Sequence, residues 1–388
     1  MTKNSLMPLR RLHGRINDWW INYKDKCAFD RFVQRAIINS KKEKKDKLDN
    51  PDFKIDFVVT WVDGNDPNWL LEKVQYTSSN SNQNINNDIS RYREWDIFQF
   101  WFRAVERNAP WVNKVYLVTC GHTPDWLNIY CPKLRIIKHE DIIPKEYLPT
   151  FNSHTIEWFL WKIPGLSEHF VYFNDDVFIT RPLKKDDFFS RGLPKYCAIA
   201  KPIVTFINMN AHRHARFNSV GLINSVFDIS RCILQQPQKW FNYQYKNDVK
   251  YNIRAYEDGL ISGIVYNHLG IPFRKSAMEE FCQQYPEQIN KTCMHRIRSS
   301  DDIMHQAVQM WEMFHGNFEP VGENYYGRLF FMNKENVEVV EEEVEDEKNR
   351  MICINDHEYL TDEDFSSVQK RVKKALEKKY SAKSDFEI

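Results

Sequence analysis

The sequence of 388 residues has no long apolar run and no paired cysteine motif. No stretch approaches the roughly 18 apolar residues that a membrane-spanning helix needs, and the first residues lack the apolar core of a signal peptide. The eight cysteines are scattered without a CxxC pair, which suits free thiols in a reducing compartment better than a disulfide framework or a zinc site. These absences predict a cytoplasmic protein.

Several motifs with a known chemical mechanism are also missing. The sequence contains no GxxxxGK, GxGxxG, GxSxG or HExxH motif, which argues against kinases, dehydrogenases, α/β-hydrolases and zinc proteases. The charges nearly cancel, with 54 Lys and Arg against 53 Asp and Glu. No overall positive field would therefore attract nucleic acid, and we expect no nucleic-acid partner.

The charge is unevenly distributed along the chain. Residues 1–50 carry 13 Lys and Arg against 6 Asp and Glu, a net charge of about +7, whereas residues 338–347 are strongly acidic. Such runs usually form a solvated surface or a linker. The sharper interpretation of the basic start, which includes Trp19 and Trp20, is peripheral contact with the anionic inner face of the cell membrane.

Strand and helix patterns alternate through the first half of the chain. Short β-branched and aromatic runs predict strands at residues 55–62, 114–119, 134–139 and 169–173. Helical spacing of apolar residues predicts helices over 95–108 and 153–162, and later over 275–315. Strands alternating with helices predict an α/β fold with a mainly parallel sheet and helical additions. A last strand is predicted at 351–355 and a surface helix at 361–379.

The same patterns divide the chain into four parts. These are a basic helical N-terminal extension (1–52), an α/β core (53–204), an insertion or subdomain (205–265), and a helical C-terminal part that completes the site (266–388). Within the core, the polar residues 77–90 predict a mobile loop.

Two pairs of carboxylates follow predicted strands. Asp63 and Asp66 come after the first strand, and Asp175 and Asp176 come after the fourth. Ligands of open α/β sheets bind at the carboxyl ends of the strands, where these carboxylates could hold Mg²⁺ or Mn²⁺ together with a diphosphate. The simpler interpretation is that both pairs are turn or helix-cap residues.

A second group carries positive charge and imidazole rings. His295, Arg296 and Arg298 lie close together, and His268 lies upstream. Arginine forks match phosphate oxygens, and histidine is the usual base for a hydroxyl nucleophile near neutral pH. Alternatively, His268 is structural, the arginines lie on the surface, and residues 299–302 begin a helix.

Asn152 precedes the helix predicted at 153–162. It either caps that helix or lies where the free amides of a helix start would meet an anion. The residues alone therefore indicate an α/β enzyme that handles phosphate and a cation, without choosing a substrate.

Longer strings of residues resemble the Stealth family. Residues 55–67 (IDFVVTWVDGNDP) are similar to its first conserved region, and residues 91–189, with YFNDDV, to its second. Residues 268–302 are similar to the third region, and residues 353–356 (CIND), with the helix after them, to the fourth. The matches are in order and cover most of residues 53–388.

This resemblance implies a sugar-1-phosphate transferase on a Rossmann-like sheet of the nucleotide-sugar transferase type. The family includes bacterial capsular polysaccharide phosphotransferases and the catalytic subunit of the animal N-acetylglucosamine-1-phosphotransferase. It implies transfer of a hexose-1-phosphate from a nucleotide diphosphosugar, such as a UDP-N-acetylhexosamine, to a hydroxyl of a growing capsular or surface polysaccharide, with Mg²⁺. The absence of a leader and a membrane span favours the bacterial branch, with a glycan acceptor and capsule-assembly proteins as partners.

The resemblance also implies residue roles. The catalytic positions of the family fall on Asp175, Asp176, His268 and Arg298. The nucleotide end of the site falls around Trp61, Asp63 and Asn152, with Asp356 as a further member of the pocket. From the chemistry of the residues we also expect His295 or Arg296 to help bind the phosphate, and Asp63, Asp175 and Asp176 to hold the metal.

In the implied mechanism, His268 takes the acceptor proton, Arg298 neutralises the transferred phosphate, and the nucleoside monophosphate leaves. A conventional metal-dependent glycosyltransferase would instead attack the sugar carbon and release UDP. A non-catalytic glycan-binding module would bind sugar without turnover.

Overall fold

The structure, a computed structural model, describes residues 25–42, 52–77, 93–207, 209–356 and 360–388. The loop predicted at residues 77–90 and most of the basic start therefore lie outside the described residues, apart from a helix at 25–42 and residue 77 itself. Within the described ranges, no helix is both long enough and apolar enough to cross a membrane.

Strands and helices follow one another along the chain. The strands are β1 (Ile55–Thr60), β2 (Val115–Thr119), β3 (Leu134–Lys138), β4 (His169–Asn174), β5 (Val177–Ile179), β6 (Phe189–Ser190), β7 (Leu193–Tyr196), β8 (Ile271–Arg274), β9 (Glu319–Pro320), β10 (Gly327–Phe331) and β11 (Met351–Asn355). The helices are α1 (25–42), α2 (Pro67–Thr77), α3 (Phe98–Asn108), α4 (His139–Ile142), α5 (Ser153–Trp158), α6 (Ala211–Val226), α7 (Ile229–Gln235), α8 (Pro237–Trp240), α9 (Val249–Asp258), α10 (Lys275–Gln284), α11 (Pro286–Cys293), α12 (Gln306–His315), α13 (Val337–Asp346) and α14 (Asp362–Lys379). Short 3-10 helices cover Lys145–Tyr147, Leu160–Lys162, Lys185–Asp187 and Tyr243–Asp248.

A five-stranded sheet in the order β3-β2-β1-β4-β8 forms the centre of the molecule. The pairs β3·β2, β2·β1 and β1·β4 are parallel, and β8 runs antiparallel to β4 at one edge. Both faces of the sheet are covered, because Val58 of β1 packs in one apolar core while its neighbours Phe57 and Val59 pack in the other. Burial on both faces explains why β1 and β2 read as continuous apolar runs. The mainly parallel α/β architecture is confirmed, and the Rossmann-like nucleotide-sugar transferase type stays a prediction.

The predicted strands are confirmed at β1, β2, β3, β4 and β11, with boundaries that differ by at most two residues. Sequence analysis missed β8, which contains Pro272. A proline inside a short apolar run argues against a strand, but it is tolerated at a sheet edge, where β8 lies.

Two small sheets complete the architecture. In one, β11 pairs in parallel with β10 and antiparallel with β5, so that Cys353 is aligned with Val177. Since β5 begins directly after Asp176, this pairing brings the end of β11 to the carboxyl end of β4. The other small sheet has the order β6-β7-β9.

The region predicted as an insertion or subdomain, 205–265, consists mainly of helices α6 to α9. Ile223, Trp240 and Val249 from these helices are buried in the same core as Val58 and Phe170 of the central sheet. The helices therefore share a core with the sheet. The four-part division of the chain stays a prediction.

The helix α1 is the described part of the basic N-terminal extension. Its Val33 and Ala36 are buried against the core, and Phe29 stacks on Tyr256 with ring centroids 4.5 Å apart. One face of α1 is thus packed on the protein. The predicted membrane contact of residues 1–50 depends largely on residues outside the described ranges.

Candidate active site

The candidate site lies at the carboxyl ends of β1 and β4. These parallel strands are neighbours, and Thr60 is aligned with Asn174. The residues that follow the two strands therefore leave the sheet side by side, which brings the segment of Asp63 next to that of Asp175 and Asp176. This edge is where ligands bind in open α/β sheets.

Asp176 lies between the end of β11 and a histidine. The Asn355 Nδ2 atom donates to its Oδ2 atom at 2.8 Å, and the His268 Nε2 atom lies 3.6 Å from the same oxygen. Its Oδ1 atom is buried and has no hydrogen-bond partner among the described residues. Burial alone would raise the pKa of Asp176, but the charge of His268 and the hydrogen bond from Asn355 lower it. Asp176 is therefore ionised and keeps one oxygen for a ligand.

His268 has a partner on each ring nitrogen. The Tyr266 Oη atom lies 3.2 Å from Nδ1, and the Asn174 Nδ2 atom lies 3.0 Å from Nε2. Tyr172 Oη donates to Asn174 Oδ1 at 2.8 Å, which orients the amide so that its NH₂ group faces the ring. Burial would lower the pKa of His268, but the carboxylate of Asp176 raises it above the ordinary value. A raised pKa makes the neutral imidazole a stronger base, which suits it to take a proton from a hydroxyl group.

The pKa of Asp175 shifts in the opposite direction to that of Asp176. Burial, followed by the carboxylates of Asp176 and Glu94, raises the pKa of Asp175 well above the ordinary value. The pKa of Glu94 is raised as well, by burial and then by Asp63 and Asp96. Burial and the mutual repulsion of these carboxylates therefore oppose the ionisation of Asp175 and Glu94. A bound cation would relieve this repulsion.

The donor atoms at this edge fit a hard divalent cation. Mg²⁺ and Mn²⁺ prefer oxygen ligands, and the free Oδ1 atom of Asp176 is such a donor. A mixed cluster is also present, since one ligand atom each from Asp176, His268 and Cys353 lies within 4.8 Å of the others. Burial and the carboxylate of Asp176 raise the pKa of Cys353 well above the ordinary value. The thiol therefore stays protonated and is a poor metal ligand.

The segment after β1 forms a turn. Asp63 Oδ1 accepts the backbone N–H of Asn65 at 2.9 Å, and the backbone N–H of Asp63 donates to His122 Nε2 at 2.8 Å. Asp66 Oδ1 accepts the backbone N–H of Trp69 at 3.0 Å at the start of α2. Asp66 is therefore a cap residue, as the simpler interpretation predicts. Asp63 forms a turn and also adds negative charge to the sheet edge that carries Asp175, Asp176 and Glu94.

Trp61 lies at the same edge. Its ring stacks on Phe98, with centroids 5.7 Å apart and planes 7° from parallel, and it meets His122 edge-on at 5.2 Å. The side chain is only half-buried. A tryptophan fixed in this way offers a rigid aromatic surface for a ligand.

Asp302 is the centre of a second, buried cluster. His295 Nδ1 lies 2.8 Å from Oδ1, while His154 Nδ1 lies 3.1 Å and Asn152 Nδ2 2.9 Å from Oδ2. Burial would raise the pKa of Asp302, but hydrogen bonds from the two histidines lower it to about 2. Asn152 also caps α5 by accepting the N–H of His154 at 3.1 Å, as the cap interpretation predicts. The polar atoms of Asn152 are thus used inside the protein, and the cluster ties α5 to the loop before α12.

This loop gives its two arginines different positions. Arg298 Nη2 donates to Ser153 Oγ at 2.6 Å, and its positive charge acts against protonation of His268. Arg296 Nη2 instead donates to the carbonyl oxygen of Glu146 at 2.8 Å. The alternative of a helix beginning at 299–302 is wrong, because α12 begins at Gln306.

Asp356 follows β11 and is nearly buried. Its Oδ2 atom lies 3.6 Å from Arg93 Nε. The preceding residue, Asn355, donates to Asp176, and Arg93 precedes Glu94 in the chain. Asp356 is therefore held beside the acidic edge by an ion pair.

Three family models match the chain in order. Stealth protein conserved region 1 matches residues 53–81, conserved region 2 matches 91–197, and conserved region 3 matches 267–315. A curated relative, the capsular polysaccharide phosphotransferase WcwK of Streptococcus pneumoniae, is 40% identical over 86% of this chain and 98% of its own length. The chain belongs to the Stealth family.

Two other relatives of this Stealth protein carry similar names. The exopolysaccharide phosphotransferase cps2G of Lactiplantibacillus plantarum is 36% identical over 86% of this chain and 96% of its own length. The receptor polysaccharide phosphotransferase WefC of Streptococcus gordonii is 37% identical over 86% of this chain and 99% of its own length. The predictions of family membership and of a phosphotransferase enzyme are confirmed.

The matched regions of the Stealth protein converge on the site. Region 1 contributes Asp63, region 2 contributes Asp175 and Asp176, and region 3 contributes His268 and Arg298. The site is therefore assembled from segments that are far apart in sequence. The fourth region predicted at residues 353–356 stays a prediction.

Sequence analysis missed a buried pair behind the site of this Stealth protein. His305 Nδ1 lies 2.7 Å from Glu157 Oε2, and Tyr172 Oη lies 3.4 Å from Glu157 Oε1. Burial would raise the pKa of Glu157, but His305 lowers it to about 2. Since Tyr172 also binds Asn174, the pair supports the amide that contacts His268. Glu157 and His305 are 148 residues apart, so no local pattern indicated their contact.

Four other residues of the site were not predicted. Asn174 and Asn355 stand beside aspartates in the NDD and IND strings, where an adjacent amide could have been suspected. Tyr266 and Glu94 lie outside regular structure and had no local signal.

Proposed function

We propose that this Stealth protein transfers a hexose-1-phosphate from a nucleotide diphosphosugar, such as a UDP-N-acetylhexosamine, to a hydroxyl group of a growing capsular or surface polysaccharide. The product is a phosphodiester. The observation that carries the proposal is the contact of His268 with Asp176 at 3.6 Å, at the edge where β1 and β4 end. A base beside a carboxylate with a free oxygen suits a reaction between a hydroxyl and a diphosphate. The names of the relatives support polysaccharide as the acceptor class.

In the proposed reaction, His268 Nε2 accepts the proton of the acceptor hydroxyl. The hydroxyl oxygen forms a bond to the phosphorus that carries the sugar, and the bond from that phosphorus to the oxygen of the nucleoside monophosphate breaks. UMP leaves when the donor is a UDP-sugar. The acceptor must replace Asn174 at Nε2, and Asp176 then stabilises the imidazolium that forms.

Arg298 is the proposed ligand of the transferred phosphate. Its guanidinium is held by Ser153 and acts electrostatically on His268. A planar guanidinium can neutralise the charge that develops on phosphoryl oxygens while the nucleophile is held in line. Arg296, which binds the carbonyl of Glu146, has a positioning role in this proposal.

We further propose that Asp175 and Asp176, with Asp63, hold Mg²⁺ or Mn²⁺. The support is the raised pKa of Asp175, caused by burial and its acidic neighbours, and the free buried oxygen of Asp176. When bound, the cation would neutralise the donor diphosphate. Glu94 offers a further carboxylate, and the half-exposed ring of Trp61 offers a surface for the nucleotide base.

A screen of nucleotide sugars tests this function. The purified full chain is incubated with each donor and a capsular oligosaccharide acceptor, and the nucleotide and glycan products are identified by mass spectrometry. UMP together with a phosphodiester product is the expected result, and both should disappear in Asp176→Asn. Release of UDP would instead establish a conventional glycosyltransferase, and sugar binding without turnover would indicate a glycan-binding module.

A further inference from the structure

The loop that precedes α6 exposes three apolar side chains close together in sequence. Val204, Phe206 and Ile207 are 72%, 57% and 88% exposed, and we call these residues the apolar tip. Single exposed apolar residues are common on protein surfaces. Three within four residues, including an aromatic ring, form a small patch of the kind that marks an interaction site.

An arginine lies behind the apolar tip. Between residues 188 and 227 the sequence has no Asp or Glu, and of its five Lys and Arg, Arg191 and Lys201 form ion pairs with Glu319 and Glu323. The guanidinium of Arg213 lies 4.5 Å from the centroid of the Phe206 ring, and its Nη1 atom donates to the carbonyl oxygen of Val204 at 2.6 Å. Neither of these partners neutralises the charge of Arg213. The tip therefore combines apolar side chains with a fixed cation, which complements an anionic surface.

The same helix connects the tip to the candidate active site. One turn after Arg213, the guanidinium of Arg216 lies 5.2 Å from the centroid of the Tyr266 ring, and Tyr266 contacts His268. The ring of His212 lies 5.6 Å from that of Tyr266. The tip and His268 are thus linked through the first two turns of α6.

We propose that the apolar tip, with Arg213 behind it, docks this protein on an anionic lipid bilayer. Phe206 and Ile207 bury apolar surface at the level of the headgroups, and Arg213 attracts their negative charge. Docking through this loop orients α6, and with it the site of His268, toward the membrane surface. This contact is separate from any made by residues 1–50 and does not depend on the reaction that the site performs.

Vesicle binding of the full chain tests the proposal. Flotation is measured with vesicles of phosphatidylcholine alone and with increasing fractions of phosphatidylglycerol. We expect the double variant Phe206→Ser/Ile207→Ser to bind anionic vesicles about tenfold more weakly, because apolar area is lost. Arg213→Gln should weaken binding about fivefold and flatten its dependence on phosphatidylglycerol, which corresponds to the loss of one cation at the surface.

The matched control is Ile129→Ser/Tyr130→Ser, which removes an exposed isoleucine and an exposed aromatic residue (50% and 87%) from another loop. This variant should bind vesicles like the wild type. Any membrane binding by residues 1–50 would be the same in the wild type and in every variant. The ratios of their vesicle affinities therefore measure the contribution of the apolar tip. Circular dichroism melts confirm that each variant is folded.

Unchanged vesicle binding of a folded Phe206→Ser/Ile207→Ser protein would overturn the proposal. Equal losses of vesicle binding in the tip variant and the control variant would also overturn it. Sedimentation of the proteins without vesicles tests whether the tip instead binds a second copy of the chain. If the tip variant changes only in self-association, the tip is an interface between copies and the membrane proposal is wrong. Release of UMP by the tip variant with a water-soluble acceptor should equal that of the wild type, so a failure of the proposed reaction is seen independently.

Discussion

The two acidic clusters of this protein differ in how completely their carboxylate oxygens are used. Asp302 receives hydrogen bonds from two histidines and Asn152, and the histidines outweigh the effect of burial and lower its pKa to about 2. At the end of β4, Asp176 has one buried oxygen without a partner among the described residues, and burial and neighbouring charges raise the pKa of Asp175. A satisfied buried carboxylate is a structural support, whereas an unsatisfied one indicates a place for a ligand.

The largest expected effect is a loss of turnover when the cluster of Asp175 and Asp176 is changed. Asp176→Asn keeps the shape of the side chain but removes the charge that raises the pKa of His268 and the proposed cation ligand. We expect turnover to fall by a factor on the order of 1,000, with little change in the free energy of unfolding. Product release measured by mass spectrometry, together with urea unfolding, checks both parts. A variant that lost stability instead would place Asp176 with Asp302 as a support.

The satisfied cluster should respond in the opposite way. Asp302→Ala leaves His154, His295 and Asn152 without their shared acceptor in a buried setting. We expect the free energy of unfolding to decrease by about 3 kcal/mol. Urea denaturation of the variant and the wild type measures this change. An unchanged unfolding midpoint would contradict the supporting role.

The two arginines of the loop before α12 provide a matched pair. Arg298→Ala should reduce turnover about 100-fold, because a charge that stabilises the transferred phosphate is lost. Arg296→Ala removes the same kind of side chain from a position where its Nη2 atom donates to the carbonyl oxygen of Glu146. We expect this control to keep most of its activity. Equal losses in both variants would remove Arg298 from its proposed role.

The pH dependence of the free energy of unfolding tests the role of ionised Asp302 in the satisfied cluster. The pKa of Asp302 is about 2 in the folded protein, below the value of about 3.9 of a free aspartate. The stabilisation of the folded state by ionised Asp302 is therefore present above about pH 4 and is lost as the pH falls toward 2. Relative to Asp302→Asn, the wild type should lose about 1 kcal/mol of stability between pH 6 and pH 3. Urea unfolding of both proteins at the two pH values gives this difference.

The smallest expected effect concerns the partner of His268 Nδ1. Tyr266→Phe removes the hydroxyl that lies 3.2 Å from this nitrogen but keeps the ring beneath Arg216. We expect kcat/KM to fall about threefold, in keeping with the loss of one hydrogen bond. The acidic limb of the kcat/KM profile should also move to lower pH, since a hydrogen bond that favours the imidazolium is gone. A loss of activity without this movement would indicate a purely structural role.

Much of the fold could be predicted from local patterns. The strands β1, β2 and β4 were recognisable as short, mainly apolar runs, and the ends of β1 and β4 are followed by the aspartates that the structure brings to one edge. The cap at Asn152 was one of two interpretations of its sequence, and the hydrogen bond from the His154 N–H to Asn152 Oδ1 confirms it, while its role in binding stays a prediction. The strand β8 was missed because a proline interrupts a short run, which only an edge position allows.

The sequence by itself determined the order of the elements, the Stealth family and the identity of the acidic and basic residues at strand and loop ends. Only the tertiary structure decided which of these residues meet. Asp302 and Asn152 are 150 residues apart, and Asp176 and Asn355 are 179 apart. The first contact depends on how the loop before α12 packs against α5, and the second on how β11 pairs with β5. No period of 2 or 3.6 residues encodes such contacts. The burial that shifts the pKa of each carboxyl group likewise arises only when distant segments enclose it.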